Sequence, residues 1–447
     1  MNRSPWLHDL NRTRSLYRLD QTRSEDIVIV GGGIAGLMTS AFTLLSTKRS
    51  ILLLEATRIA HGATGHNAGQ IISCFERPLP DLVKSYGLSA TRDLVVSIES
   101  AWQLLDSLVT TLALKTPIQR FLGYTTLSSP PSVHEFIKAS LLRLKMGLSP
   151  HTLYVDETRC AHILKGKTFP FLVPLPTHQL ARLVETSEPN ILAVHAEPKG
   201  TMNSAELTEE IASVLLQRFP DRFTILEETP VHDVFLNQNK GKSWIVLTHN
   251  HTVHAQTIIL CTNGFESLHL HAEDEASLDT RFHASIEGTI GYMVGYVTEE
   301  APPMAMSFLG KKGAVYPYLT CHPHGKASSL VCWGGPEKHL PEVKHYARST
   351  PMPKARTKEL HALVKKFRPK EAKKPFLFEW HGLMGYTRDR LRLIGQDPSH
   401  PNLLYNLGCN GIGVLPSIYG GKRLAGLLAG EKLAPSLFDP KRLKKTK

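Results

Sequence analysis

The chain has 447 residues, of which 42% are hydrophobic and 21% charged, a composition typical of a globular protein with a large core. No apolar run approaches the ~20 residues that a membrane-spanning helix requires, so we expect no membrane span. The formal net charge is +12, and part of it lies in residues 354–374 and in a basic tail at residues 436–447. Because neither stretch forms a basic motif with interleaved aromatic residues, we interpret them as solvated surface and expect no DNA partner.

The first 24 residues are predicted to be a polar lead-in that packs through four apolar or aromatic side chains, Trp6, Leu7, Leu10 and Tyr17. Its arginines resemble those of a transit peptide, but Asp9 and Asp20 argue against that interpretation. The six cysteines form no C-x-x-C pair, which favours free thiols and gives a metal site no support. We therefore expect a cytoplasmic protein without a metal centre.

A strand, a glycine-rich turn, a helix and a second strand are predicted within residues 26–55. Residues 27–30 are an unbroken apolar run rich in β-branched side chains, typical of a parallel strand buried on both faces. Residues 31–36 satisfy the pattern G-x-G-x-x-G, and a helical pattern follows. A second apolar strand at residues 50–54 ends at Glu55. This order is typical of a dinucleotide-binding unit.

Each position of the glycine turn has a physical reason. Gly31 permits the tight turn, Gly33 lets the backbone approach a pyrophosphate, and Gly36 lets the helix pack closely against the strands. The N–H groups at the start of the helix, around Ile34 and Ala35, face the phosphates, where the helix dipole favours negative charge.

Glu55 lies about 20 residues past the glycines, where an acid accepts hydrogen bonds from ribose hydroxyl groups. A carboxylate at this position disfavours a 2′-phosphate, because like charges repel. The residues themselves therefore leave FAD and NAD open as the cofactor.

The rest of the chain mixes helical and strand-like patterns without an internal repeat. In chain order, we predict a helical region at 81–114, a strand at 121–127, a helix at 133–146, irregular chain at 163–201, a helix at 205–218, strands at 223–226, 243–248 and 257–261, an antiparallel region at 285–335, a helix at 353–367, strands at 376–380 and 403–407, and a helix at 417–428. The parallel α/β pattern thus opens the chain, resumes near its middle and returns near its end.

We therefore predict an α/β protein with a discontinuous Rossmann-like dinucleotide-binding domain and an α+β substrate domain that contains an antiparallel sheet. The dinucleotide-binding domain, which the resemblance described below makes an FAD-binding domain, is predicted to comprise residues 25–80, 200–284 and 376–435, and the substrate domain residues 81–199 and 285–375.

Four further motifs follow in order. They are G-A-T-G-H-N-A-G-Q at residues 62–70, T-N-G at 262–264 after a strand, W-H-G at 380–382 and G-I-G at 411–413 before the last helix. Together with the glycine turn, they resemble the FAD-dependent D-amino-acid oxidase, glycine oxidase and sarcosine oxidase superfamily over residues 25–430. The resemblance is closest to the γ-glutamylputrescine oxidase branch, whose members have a similar G-A-S-G-R-N-G-G-Q loop.

The resemblance implies FAD as the cofactor and assigns a part of it to each motif. Gly31, Gly33, Gly36 and Glu55 would hold the ADP half, and Val231 would contact the adenine through its backbone. The residues beside the flavin would be Ala63, Thr64, His66, Asn67, Ala68, Gly69 and Gln70. Thr262, Asn263 and Gly264 would close on the dinucleotide, and Gly411, Ile412 and Gly413 would approach the pyrimidine edge of the flavin.

Two departures from the family pattern concern the chemistry. The amino-acid oxidase branch binds the substrate carboxylate through an arginine where this chain has Met384, and we interpret the nearby Arg388, Arg390 and Arg392 as solvated. His66 stands where most relatives have arginine and some have a histidine bonded to the flavin. We expect non-covalent FAD, with a covalent link through His66 as the alternative.

The family implies an FAD-dependent oxidase or dehydrogenase that oxidises a C–N bond of an amine or N-substituted amino acid. A hydride would pass to flavin N5, and water would hydrolyse the imine. The candidate catalytic residues are Tyr316, Trp380 and His381, and Tyr318 and Trp333 are further aromatic candidates for binding an amine. The electron acceptor is oxygen or another oxidant. The identity of the substrate and the oligomeric state stay open.

Three alternatives belong to other classes. A tRNA-uridine-modifying FAD oxidase would explain the basic charge, but the methyltransferase domain of such bifunctional enzymes is missing. A reductase that binds NADH as well needs a second G-x-G-x-x-G unit, and residues 408–413 have their glycines in another order. A non-catalytic flavoprotein is the third alternative.

Overall fold

The structure is a computed structural model that describes residues 2–14, 16, 23–186, 190–237, 243–248, 252–264, 268–271, 286–310, 316–340 and 346–444. Its α-helices are α1 Pro5–His8, α2 Ile34–Ser46, α3 Leu79–Tyr86, α4 Leu88–Glu99, α5 Ala101–Leu112, α6 Pro130–Lys145, α7 Ala161–Leu164, α8 Thr177–Leu183, α9 Ser204–Arg218, α10 Lys354–Phe367 and α11 Val414–Leu428. Short 3₁₀ helices span Ala63–Gly65, Glu371–Lys373 and Pro440–Lys444.

The strands of the described residues form two large sheets. They are β1 Arg23–Val30, β2 Ile51–Leu54, β3 Gln70–Ile72, β4 Ile118–Leu127, β5 Thr152–Asp156, β6 Leu172–Leu175, β7 Ala193–Met202, β8 Phe223–Leu226, β9 Val231–Asn237, β10 Ser243–Thr248, β11 Thr252–Leu260, β12 His269–His271, β13 Ile286–Glu299, β14 Met304–Leu309, β15 Tyr318–Pro323, β16 Ser328–Leu340, β17 Phe378–Thr387, β18 Leu393–Gln396 and β19 Leu403–Leu407.

The first sheet has the strand order β12-β9-β10-β11-β1-β2-β8, with β19 beside β11 and β18 beside β19. Its centre is parallel, because β1 pairs in parallel with both β11 and β2. Ile27 and Ile29 pack in the same cluster as helix α2, whereas Val28 and Val30 belong to a cluster on the other face. Both faces of β1 are therefore buried, as its apolar run predicts.

Helices α2 and α11 pack against each other at a glycine. A Cβ at Gly421 in α11 would lie 2.8 Å from the carbonyl carbon of Met38 in α2.

Among the described residues, none of the helices combines the length and the apolarity that crossing a membrane requires.

The second sheet has the order β17-β13-β16-β15-β14-β4-β7-β5-β6, and β3 pairs with β7. Most of its pairs are antiparallel, including β13 with β16 and with β17. Helix α10 covers one face, where Leu360, Val364 and Phe367 join a cluster with Tyr296 and Trp333 of the sheet. The predicted antiparallel region at 285–335 thus belongs to this sheet.

The structure corrects two of the predicted segments. The helical region at 81–114 is three helices, α3, α4 and α5, because the chain turns at Gly87, whose φ is +81°, and again at Ser100. The stretch at 163–201, predicted to be irregular, contains the ten-residue strand β7. Pro198 is tolerated in β7 because it falls between the last residue paired with β5 and the first paired with β3.

Strands β3, β5, β9, β12 and β18 are additional to the prediction, and β6 lies with β7 in the stretch predicted to be irregular. Tyr17 and residues 285 and 311–315 of the predicted antiparallel region lie outside the described residues. Apart from the first two residues of β1, all strands of the first sheet fall within the ranges predicted for the FAD-binding domain, but so do β3 and β17, which pair in the second sheet. The division into two domains stays a prediction.

Candidate active site

A cavity of about 1160 Å³ is lined by residues of both sheets. From the first sheet, Val30, Leu54 and Cys261 reach it at the carboxyl ends of parallel strands or just beyond them. From the second sheet, Tyr318 and Glu337 reach it. Ligands of parallel α/β sheets bind at this strand edge, so the cavity is the candidate active site.

Most of the residues predicted to bind the cofactor lie on the cavity wall. They are Gly31, Gly33, Ile34, Ala35, Glu55, Ala63, Thr64, His66, Asn67, Ala68, Gln70, Val231, Thr262, Asn263, Gly264, Gly411, Ile412 and Gly413. Gly36 and Gly69 do not line the cavity, but both fit closely against other groups. A Cβ at Gly69 would lie 2.6 Å from the Trp6 ring, and the Gly69 φ is +73°.

The glycine turn before α2 has the geometry that its sequence predicts. Gly31 has a φ of +111°, and a Cβ there would lie 2.7 Å from the Cys261 carbonyl oxygen. A Cβ at Gly36 would lie 2.0 Å from the Gly31 carbonyl oxygen. Among the described residues, a Cβ at Gly33 would meet only the Thr64 hydroxyl within 4 Å, at 3.1 Å. The turn is therefore packed on its inner side and open toward the cavity.

Glu55 is fixed at the end of β2 by hydrogen bonds from the backbone. The N–H of Gly32 donates to Glu55 Oε2 at 2.8 Å, and the N–H of Thr57 donates to Oε1 at 2.8 Å. Arg348 Nη1 donates to the Thr57 hydroxyl at 3.3 Å, and Arg348 also lines the cavity. A carboxylate held in this way keeps lone pairs for ribose hydroxyl groups.

The loop at residues 62–70 is held in place by side-chain hydrogen bonds. Asn67 Nδ2 donates to the Thr64 carbonyl oxygen at 2.9 Å and to Ser204 Oγ at 2.8 Å. Trp6 Nε1 donates to the Asn67 carbonyl oxygen at 2.8 Å, and Gln70 Nε2 donates to the Leu319 carbonyl oxygen at 3.1 Å. The loop thus joins the lead-in, α9 and the second sheet.

His66 is buried in this loop, and burial lowers the pKa of its imidazole to about 4. The ring is therefore neutral at neutral pH. Its Nδ1 lies 3.0 Å from the Gly62 carbonyl oxygen, which can only accept, so Nδ1 carries the proton.

The turn before α11 lies against two polar side chains. Gly411 has a φ of +75°, and a Cβ there would lie 2.7 Å from Tyr386 Oη and 2.9 Å from Glu76 Oε1. The N–H of Cys409 donates to Asn263 Oδ1 at 2.8 Å, which ties this turn to the one at residues 262–264.

Arg392 is a buried cation on the cavity wall, with 5% of its surface exposed. Its Nε donates to Asn406 Oδ1 at 2.7 Å and its Nη2 to the Asn406 carbonyl oxygen at 3.0 Å. Among the described residues, Nη1 has no hydrogen-bond partner. Burial lowers the pKa of Arg392 to about 10, so it stays charged at neutral pH. The prediction that Arg392 is solvated is therefore wrong, although Arg388 and Arg390 are exposed.

Residues 26–427 match the family model described as DAO: FAD dependent oxidoreductase. The chain belongs to this family. This match confirms the predicted resemblance. The cofactor of the family is FAD, so FAD replaces the open alternative of FAD or NAD.

Relatives of known name align with short parts of this FAD-dependent oxidoreductase. Over 74 residues it is 38% identical to gamma-glutamylputrescine oxidoreductase of Escherichia coli (strain K12), a stretch that covers 17% of each protein. Over 85 residues it is 29% identical to the probable oxidoreductase OrdL of Haemophilus influenzae, which covers 19% of this chain and 20% of that protein. The aligned stretches thus span a fifth or less of both relatives.

Solved structures match almost the whole chain. Glycine oxidase from Geobacillus kaustophilus has a TM-score of 0.68 at 16% identity and covers 94% of this chain and 98% of its own. L-Proline dehydrogenase from P. horikoshii has a TM-score of 0.70 at 18% identity and covers 95% of this chain and 98% of its own. These similarities confirm the predicted fold class.

The residues on the cavity wall fit FAD. The cavity is bordered by the N-termini of α2 and α11, where unpaired N–H groups favour an anion. The unpartnered Nη1 of Arg392 supplies a buried positive charge, and a diphosphate carries the charge that would compensate it. Glu55 would bind the ribose, and the loop at residues 62–70 would lie along the flavin.

The structure places one of the three candidate catalytic residues on the cavity wall and the other two away from it. Tyr316 lines the cavity, as does Tyr318. Trp380 is fully buried and His381 nearly so, and neither lines the cavity. His381 instead places Nε2 2.8 Å from the Thr350 carbonyl oxygen and Nδ1 3.1 Å from Tyr346 Oη. The geometry therefore favours Tyr316 over the other two as a substrate contact.

Several residues of the wall lie outside the predicted motifs, among them Glu76, Glu337 and Tyr386. Glu76 lies in a stretch without a recognisable motif, and Tyr386 belongs to β17, beyond the strand predicted at residues 376–380. Residue spacing gives no signal for these three, because segments far apart in the sequence bring them together.

Proposed function

We propose that the protein is an FAD-dependent oxidase or dehydrogenase that oxidises a C–N bond of an amine or N-substituted amino acid. The observation that carries this proposal is a single cavity whose wall contains both the family's glycine turns and a separate group of aromatic and polar side chains. The names of the similar proteins agree with this chemistry, since they include a glycine oxidase, an L-proline dehydrogenase and a gamma-glutamylputrescine oxidoreductase.

Bound FAD supplies the acceptor for the hydride that leaves the carbon next to nitrogen. The protein's part is to bind, orient and desolvate the amine. Tyr316, Tyr318 and Tyr386 would form the wall against which the amine packs, and the buried Met293 and Leu383 would help to exclude water. Glu76 accepts a hydrogen bond from Tyr316 Oη at 2.9 Å, which places a carboxylate beside this aromatic wall.

The test begins with purification of the full chain and a visible absorption spectrum. We expect a yellow protein that releases its flavin on acid precipitation and loses its colour when an oxidisable amine is added without oxygen. Flavin that stays in the pellet would support the covalent link through His66. A colourless protein that does not take up FAD would overturn the proposal.

A further inference from the structure

We infer that the substrate carries a positively charged nitrogen in addition to the one that is oxidised, and that Glu76 and Glu337 bind this second charge. The inference rests on the proposed function, because it names the class of amine that the same cavity takes. That class is a diamine or a longer amine with two or more cationic nitrogens. We call the group Glu76, Tyr316, Glu337 and Tyr386 the acidic wall.

Glu76 is held beside the turn that begins the last helix. Tyr316 Oη lies 2.9 Å from Glu76 Oε1 and 3.2 Å from Oε2, so the phenol donates to the carboxylate. A Cβ at Gly411 would approach Glu76 Oε1 to 2.9 Å. Gly411 is also one of the residues that would approach the flavin. The carboxylate is thus within the cavity and next to the site of the reaction, and it is not part of an outer surface patch.

Glu337 comes from another part of the chain and reaches the same cavity. It lies in β16, opposite Gly291 of β13, and both residues line the cavity. Although Glu337 is accessible to solvent, partial desolvation by its neighbours raises its pKa to about 7, and the charge of Glu76 adds to this effect. Burial also raises the pKa of Glu76, although the hydrogen bond from Tyr316 opposes the change. The two acids are therefore close enough to repel each other.

The described residues supply no cation that pairs with this acid pair. Neither carboxylate forms an ion pair among them. The arginines on the described cavity wall are Arg348, which bonds to Thr57, and Arg392, which bonds to Asn406. Two carboxylates that line one cavity without an ion-pair partner disfavour each other's charge, so a cationic ligand would be stabilised here.

Arg390 is a positive group whose charge lowers the pKa of both acids. It is exposed, does not line the cavity, and stacks with its guanidinium carbon 4.5 Å from the centre of the Tyr386 ring. Arg390 therefore moderates the negative charge without occupying the space in front of the carboxylates.

The aromatic side chains of this part of the cavity also favour a cation. Tyr316, Tyr318 and Tyr386 all line it, and phenol rings attract positive charge through their faces. Burial raises the pKa of each of the three hydroxyl groups, so they stay neutral at physiological pH. A substrate carboxylate would meet two acids at this place and would be repelled.

The experiment compares three ligands of similar length that differ in the charge of one end. They are hexamethylenediamine, hexylamine and ε-aminohexanoate, with a cationic, an apolar and an anionic end. Binding to the purified FAD-loaded protein is measured from the change in the flavin spectrum, and turnover from anaerobic flavin reduction. We expect the diamine to bind about tenfold or more tightly than hexylamine, and the amino acid to bind most weakly.

The same series is repeated with Glu76→Gln and Glu337→Gln. Each variant keeps the side-chain shape and removes one charge, so we expect it to lose most of the preference for the diamine while hexylamine binds as before. Glu300→Gln is the control, because Glu300 is exposed and does not line the cavity. Unchanged FAD content and thermal unfolding would show that the variants are folded.

The outcomes separate this inference from the proposed function. If the diamine binds best, and this preference depends on Glu76 and Glu337, the inference holds even where turnover is slow. Equal binding of the three ligands, or a preference for the amino acid, would overturn it while leaving amine oxidation intact. Flavin that no amine reduces would overturn the proposed function instead.

Discussion

The acidic wall and the wall that would hold the coenzyme belong to one cavity but balance their charges differently. The second of these, the nucleotide wall, comprises Gly31, Gly33, Glu55, Arg348 and Arg392. Its positive charge is not matched by an acid near Arg392, whose Nη1 has no partner among the described residues. In the acidic wall, two carboxylates form no ion pair among the same residues, and Arg390 acts on them only from outside the cavity lining. We therefore expect an anionic ligand group at the nucleotide wall and a cationic ligand group at the acidic wall.

The two walls also differ in what shapes them. The nucleotide wall is largely backbone, because its glycine turn places N–H groups where a phosphate would bind. The acidic wall consists of side chains, two of which, Glu337 and Tyr386, are brought to one place by the pairing of β16 with β13 and of β13 with β17. Backbone geometry tolerates few substitutions, whereas side chains can be exchanged without altering the fold. Substitutions in the nucleotide wall should therefore have the larger effects.

The largest effect is expected from Gly36→Ala. A Cβ at this position would lie 2.0 Å from the Gly31 carbonyl oxygen, so the helix would have to move away from the turn. We expect the purified variant to contain no bound FAD, as measured by its absorption spectrum.

Gly310→Ala is the matched control, since nothing lies within 4 Å of a Cβ at that glycine among the described residues. Its FAD content should equal that of the unmodified protein. A Gly36→Ala protein with full FAD content would show that close packing at this turn is not what maintains the nucleotide wall.

The difference between the walls explains how much of the site the sequence predicts. The nucleotide wall is predictable because it is built from short contiguous motifs, at residues 31–36, 62–70, 262–264 and 411–413. The glycines of these motifs indicate where the backbone turns tightly or approaches a ligand. No sequence motif predicts the acidic wall, because Glu76 and Tyr316 are 240 positions apart in the sequence and meet only in the folded chain.

The same reasoning applies to the fold. Strand β1 and helix α2 are predictable because their burial patterns repeat along a few residues. Strand β7 is not predictable from the sequence, because Pro198 normally argues against a strand and the gap between its partners β5 and β3 is a tertiary feature. The burial of Arg392 was likewise missed, since it depends on Asn406 and the packing of α11.

A smaller effect is expected from Arg392→Met, which removes the buried positive charge of the nucleotide wall. Loss of a charge-assisted hydrogen bond costs about 1.5–3 kcal/mol, which corresponds to about a 10- to 100-fold higher Kd for FAD. Equilibrium dialysis against the apoprotein would measure this change. Riboflavin has no phosphate, so its Kd should not rise.

Arg388→Met is the control for the loss of one arginine, because Arg388 is exposed. It should leave the Kd for FAD unchanged. An Arg392→Met protein that weakens FAD and riboflavin equally would show that the guanidinium supports the fold of the wall and does not bind a phosphate.

The smallest effect is a difference in pH dependence between the walls. Glu337, with a pKa of about 7, is charged above that pH and neutral below it, so a cationic ligand should bind more weakly as the pH falls through 7. Glu76 and Arg390 act on this titration, whereas the phenols of Tyr316, Tyr318 and Tyr386 stay protonated. The expected rise in Kd for the diamine is at most about tenfold per pH unit.

FAD binding should be nearly constant over the same range, about pH 6 to pH 8. The groups near the coenzyme titrate far outside it, because Arg392 has a pKa of about 10 and His61 and His66 have pKa values of about 4. Glu337→Gln should make diamine binding as insensitive to pH as FAD binding. If that variant keeps the full pH dependence, the titrating group lies elsewhere and the acidic wall does not control ligand binding through Glu337.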